Sequence, residues 1–144
     1  MGIAVLFPFF LKEEAMELKK VDHIGINTLD IERSVQFYEE MFGFKEINRA
    51  DMGEVTLVYM EAFPGFSLEL FDLRGNTEAG ERPENLQGLR HFAFYVDDIQ
   101  AWNKKLKEKK ADFVMELTKM DQIKRYGILI KDPDGVIIEL TSSY

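Results

Sequence analysis

Shifting the sequence by 68 positions lays Val21–Phe44 over Leu89–Asp112 and brings His23 onto His91, Asp30 onto Asp98 and Ile31 onto Ile99. A chain that repeats itself in this way is built as two copies of one supersecondary unit, each of which must cover its own apolar face. Both copies open on a strand pattern, VDHIGIN or LRHFAFYV. Alternation groups His23 with Val21 and Gly25, opposite Ile24 and Ile26; His91 shares a face with Leu89 and Ala93, opposite Phe92 and Phe94. An acidic helix N-cap follows in each copy, Asp30 or Asp98. Helically spaced apolar residues come next, at Ile31, Val35, Tyr38 and Phe42, or at Ile99, Trp102 and Leu106, with Gly43 as the stop of the first helix.

Strand patterns then return. In the first copy they cover Val55 to Ala62 and Ser67 to Leu73 around a Pro64-Gly65 turn. In the second they cover Tyr126 to Lys131 and Val136 to Thr141 around Asp132-Pro133-Asp134-Gly135. Each unit reads β-α-β-β-β. The expected fold is α+β: two tandem β-α-β-β-β modules whose sheets pack together, each helix on the outer face of its own sheet. Module one covers 21–73 and module two 89–141; the polar stretch 74–88, with three Gly and one Pro, is the linker. Residues 16–144 make a single domain, and 1–15 form an appendage, either an aromatic arm carrying Phe7, Phe9 and Phe10 or a stretch without function. Its apolar run, Ala4 to Leu11, has no basic residue before it and is far short of a membrane span.

The duplication extends to an acid. Glu69 follows His23 by 46 residues and Glu139 follows His91 by 48, within the similar strands SLELF and IIELT. Alternation places Glu69 with Ser67 and Phe71, and Glu139 with Ile137. A carboxylate amid apolar residues in a central strand is costly unless it is paired or bound to a cation. If the first and last strands of each unit adjoin, two imidazoles and two carboxylates point inward. Such donors suit an octahedral divalent ion with two positions left for water or substrate oxygens: nickel, cobalt, manganese, iron or zinc.

Composition restricts the alternatives. The 144 residues include no Cys and only two His, so thiolate nucleophiles, iron–sulfur clusters and zinc fingers are excluded. With 46% hydrophobic and 31% charged residues the chain has the balance of a soluble globular protein, expected in the cytoplasm. The net charge of −8 argues against nucleic acid as a partner, and no membrane partner is expected. The basic run Lys104 to Lys110 reads as the wet face of the second helix. Tyr38, Phe42 and Trp102 read as core; Tyr59, Met60, Phe71 and Phe94 line either a pocket or the core. KDPDG reads as a hairpin turn, and no phosphate loop, Ser-His-Asp arrangement or dinucleotide fingerprint offers a rival catalytic site.

With VDHIGINTLDIERSVQFYEEMFGF, GLRHFAFYVDDI and KDPDGVIIEL on the page, the chain resembles the vicinal oxygen chelate superfamily from about Val21 to Thr141, and within it the glyoxalase I type. The resemblance implies His23, Glu69, His91 and Glu139 as metal ligands, a small-molecule substrate, and a homodimer with a site formed across exchanged modules. It also implies proton transfer on a hemithioacetal of methylglyoxal and glutathione, with Glu139 as first choice of catalytic base and Glu69 as second. One departure bears on the thiol: where glyoxalase I commonly has an arginine four residues after the first metal histidine, this chain has Asn27. Lys119, Lys124 and Arg125 are the alternative source of a positive rim. Glu69 stands where methylmalonyl-CoA epimerases usually carry Gln, and a fourth ligand tilts the reading away from fosfomycin-resistance relatives and ring-cleaving dioxygenases. A ligand-sequestering protein of the bleomycin-resistance kind is the non-enzymatic alternative; such proteins generally lack the complete ligand set.

Overall fold

The computed structural model describes residues 16–144. The arm expected over 1–15 lies outside the described residues. Module one runs β1 (His23–Thr28), α1 (Ile31–Phe42), β2 (Lys45–Asp51), β3 (Thr56–Phe63) and β4 (Phe66–Asp72). Module two runs β5 (Phe92–Tyr95), α2 (Ile99–Glu108), β6 (Asp112–Met120), β7 (Arg125–Lys131) and β8 (Ile137–Ser143). The strands form two four-stranded sheets of matching order, β1-β4-β3-β2 and β5-β8-β7-β6, and residues 74–88 between them contain neither helix nor strand. The β-α-β-β-β reading holds in both halves.

Local chemistry explains the elements. Asp30 accepts the Arg33 N–H at 3.1 Å and Asp98 accepts the Ala101 N–H at 3.0 Å, so each helix starts on its side-chain cap. Gly43 ends α1 in the left-handed region, with φ of 71°. In the second strand of each module, β2 is largely exposed and polar, whereas β6 alternates half-buried Phe113, Met115 and Leu117 with exposed neighbours; neither strand's bounds were drawn from the sequence. His91 stands one residue ahead of β5 rather than within it.

The expected adjacency of first and last strands is realised. β1 pairs in parallel with β4, and β5 with β8. Ile26, Leu68, Leu70, Val58 and Met60 are buried with Ile31, Val35 and Tyr38 of α1; Ile138, Leu140, Ile128 and Ile130 are buried with Ile99 and Leu106 of α2. Each fully buried aliphatic side chain contributes roughly 1.5–3 kcal/mol. These clusters join into one core. At the seam Phe42 lies 5.9 Å from Trp102, and Phe94 lies 5.7 Å from Phe44 and 5.8 Å from Phe66.

A polar latch crosses the same seam. The Tyr38 hydroxyl donates to Asp132 at 2.7 Å, and Asp134 accepts from the Leu29 N–H and the Ser34 hydroxyl, each at 3.0 Å. The turn carrying both aspartates, between β7 and β8, has five residues where the β3–β4 turn has two. The Asp-Pro-Asp-Gly segment is a hairpin turn, as expected, and it also ties module two to α1 of module one.

Candidate metal centre

Each histidine comes from an edge strand or its threshold, and each glutamate from the adjoining inner strand. In register, Glu69 lies opposite Gly25 and Glu139 opposite Ala93. The histidine two positions earlier on the neighbouring strand meets its glutamate diagonally. His23 Nε2 is 2.9 Å from Glu69 Oε2, and His91 Nε2 is 2.8 Å from Glu139 Oε2. The two pairs therefore repeat one another atom for atom.

The four predicted residues appear as two pairs, one per sheet. Among the described residues no three or more His, Asp or Glu side chains of a single chain are placed so that they could hold a metal ion together. Each pair nevertheless fits one edge of a metal site. Two donors about 2.1 Å from a cation and at right angles stand roughly 3.0 Å apart, whereas tetrahedral angles would require about 3.4 Å. A cation bound between Nε2 and Oε2 would replace any proton carried on Nε2.

The surroundings of the two pairs differ. His23 Nδ1 is 2.9 Å from Asp22 Oδ2, so a neutral ring that donates to Asp22 turns its Nε2 lone pair towards Glu69. That hydrogen bond is the main cause holding the imidazole above its usual 6.5; partial desolvation opposes it, and the charges of Glu69 and Asp22 add to it. The other carboxylate oxygen of Glu69, Oε1, accepts the Tyr59 hydroxyl at 3.0 Å, which pushes the phenol above 10. Glu69 is 7% exposed, so both its oxygens are held within the sheet face.

Among the described residues, Glu139 has no such second donor. Leu129 stands opposite it where Tyr59 stands opposite Glu69. Beside it Gly127 lacks a side chain, and an added Cβ there would come within 3.2 Å of Glu139 Oε1 and 2.7 Å of the Met120 methyl. Met115 and Met120 close in over this glycine.

Asp22 and Gly127 were not singled out by sequence, and Tyr59 was read only as lining a pocket or the core. Asp22 was legible in the Asp-His dipeptide. The contact of Tyr59 with Glu69 was not, because a register shift between Glu61 and Phe63 decides its position: an unbroken hairpin from the Phe63–Phe66 pair would set Met60 opposite Glu69. With the irregularity, Tyr59 takes that place and Met60 enters the core. Phe71 joins the site face, its ring 3.2 Å from where a Gly25 Cβ would lie, and Phe94 joins the core. Of the proposed rim, Arg125 shares the face of Gly127 and Leu129, with its guanidinium 5.7 Å from the Tyr95 ring. Lys119 pairs in register with Tyr126 and so belongs to the other face, while Lys124 lies in the turn before β7.

Comparison with known proteins agrees with this architecture. Residues 20–140 match the glyoxalase/bleomycin resistance protein/dioxygenase superfamily, and the chain belongs to that family. It is 32% identical over 126 residues to a Bacillus subtilis protein described as a probable trivalent organoarsenical cleaving enzyme, covering 81% of this chain and 75% of that one. It is 30% identical over 124 residues to a probable lactoylglutathione lyase of Synechocystis, covering 82% and 91%. A glyoxalase family protein from Enterococcus faecalis superposes with a TM-score of 0.74 at 26% identity, covering 88% of this chain and all of that one.

Proposed function

We propose that the chain is a metal-dependent lyase or isomerase of the glyoxalase I type, moving a proton between adjacent carbons of a hemithioacetal or a related substrate with vicinal oxygens. The observation that carries this reading is the matched pair of His–Glu contacts at equivalent places of two modules. The cation would be nickel, cobalt, zinc, manganese or iron, and bound it would neutralise charge developing on two adjacent substrate oxygens. His23, Glu69, His91 and Glu139 would hold it. Glu139 would take and return the proton, since a carboxylate held through one oxygen can move towards a neighbouring carbon more readily than one held through both.

Two pairs in separate sheets make one four-ligand site only if they meet, and we propose that a second copy of the chain supplies the meeting. Module one of one copy would face module two of its partner, giving two sites per homodimer. The similarity to an organoarsenical cleaving enzyme raises a second substrate class. Trivalent arsenic prefers soft thiolate ligands, and this chain has no Cys, which favours the oxygen substrate.

The test is metal analysis of the purified protein, sedimentation, and an isomerisation assay with each candidate metal restored. The expected result is one equivalent of metal per chain, a particle of twice the 16.8 kDa chain mass, and turnover of the glutathione hemithioacetal or that of another thiol. Stoichiometric metal without turnover of any hemithioacetal would remove the glyoxalase activity and leave the site.

A further inference from the structure

The repeat makes the two half-sites directly comparable, and among the described residues only one of them is braced. His23 has Asp22 on its Nδ1 and Glu69 has Tyr59 on its Oε1, at 2.9 and 3.0 Å. In module two the residue before His91 is Arg90, which instead reaches the Glu84 carbonyl at 3.2 Å, and the residue opposite Glu139 is Leu129. We infer that Tyr59 is a positioning residue that fixes Glu69, making the His23–Glu69 pair the anchoring half of the metal centre and leaving Glu139 as the carboxylate free to move. The inference rests on the reading that both pairs hold one cation.

The physical basis is the use of the two carboxylate oxygens. Glu69 turns Oε2 towards His23, the side on which a shared cation would sit, and Oε1 towards the Tyr59 hydroxyl. A carboxylate tethered through its far oxygen loses little further freedom when the near oxygen binds, so part of the ordering cost of binding is met in advance. The aromatic ring adds a second constraint, standing edge-on to the His23 ring with centroids 6.3 Å apart. Tyr59 thus touches both members of its pair. The corresponding leucine of module two has no donor to offer.

The experiment uses the full chain, stripped of metal and titrated with Co(II), whose affinity and ligand-field absorption are read together. Tyr59→Phe removes the hydroxyl and keeps the ring. It is expected to weaken Co(II) binding by about 10- to 100-fold, the usual range for an outer-shell partner of a metal ligand. The metal-free variant should stay folded, as circular dichroism reads, with a melting temperature lowered by no more than the loss of one hydrogen bond to a carboxylate brings. Tyr95→Phe, which removes a hydroxyl bonded to Ser143 on the face of module two, should bind as the wild type does. In a Glu69→Gln background, Tyr59→Phe should have no further effect on affinity, because the hydroxyl acts through that carboxylate.

Wild-type binding with an equally tight Tyr59→Phe variant would overturn the brace alone. So would equal losses from Tyr59→Phe in the presence and absence of the Glu69 carboxylate. A wild-type chain that takes up no Co(II) would overturn the metal reading and the brace together.

Discussion

A glutamate and a histidine in contact are the same two functional groups in either module, and their neighbours set how far each can move. Glu139→Gln preserves shape and removes the base, so kcat on the processed substrate is expected to fall by about 100-fold or more while metal content is retained. Stopped-flow assay alongside metal analysis checks this, and normal turnover would take Glu139 out of the role. The four candidate ligands were legible in the sequence because a duplication displayed each twice, at spacings of 46 and 48 residues. Tyr59 was legible only as a residue of pocket or core, and its contact with Glu69 was hidden for the opposite reason. Its place opposite Glu69 depends on a one-residue irregularity before the Pro64-Gly65 turn, and period-two alternation is blind to such a slip.

Helices carried most of the legible information at the scale of elements, because their boundaries are chemical. Asp30, Asp98 and Gly43 were read as caps and are caps. Gly43 has a φ of 71° and nothing within 4 Å of an added Cβ, so Gly43→Ala carries only the backbone cost of a left-handed alanine. A loss of about 1 kcal/mol is expected, read from the shift of a urea unfolding midpoint. The inner strands β4 and β8 were equally visible, each carrying its acid between buried aliphatic neighbours, Leu68 and Leu70 or Ile138 and Leu140. Strand β2 escaped delimitation because it lies at the edge of its sheet and is exposed along nearly its whole length. The edge strand β6 does alternate, with half-buried Phe113, Met115 and Leu117 between exposed neighbours, so its pattern was present in the sequence although its bounds were not drawn.

The whole molecule depends on how the two modules are joined, and there the buried Asp132–Tyr38 contact is a sensitive point. Burial holds the Asp132 carboxyl above its ordinary 3.8 although the Tyr38 hydroxyl and the N–H groups of Val136 and Asp134 all donate to it. Between 3.8 and that raised value the folded state binds more protons than the unfolded state, so this group's contribution to stability falls as pH rises through the window. Asp132→Asn removes the slope and leaves at least one donor poorly matched. A deficit of about 1–3 kcal/mol against the wild type is expected, largest below pH 3.8 and narrowing as pH rises through the window. Urea titrations at a series of pH values would show it, and a deficit that widened with pH would contradict the assignment. The Asp-Pro-Asp-Gly segment is legible as a turn from its residues alone; its second role depends on what stands across the seam, which no local pattern records.

That turn is also where the duplication has ceased to be symmetric. Its five residues against two in module one reach α1 through Asp132 and Asp134, and Tyr38, Ser34 and Leu29 receive them. The halves have become lock and key, no longer interchangeable parts. A recombinant chain carrying two first modules would have the receiving helix without the turn, and one carrying two second modules the turn without its receiver; in either case the seam would lose its polar fastening. The ancestral repeat remains readable in the ligands, while the specialisation that makes one molecule of its two halves is written in three extra residues.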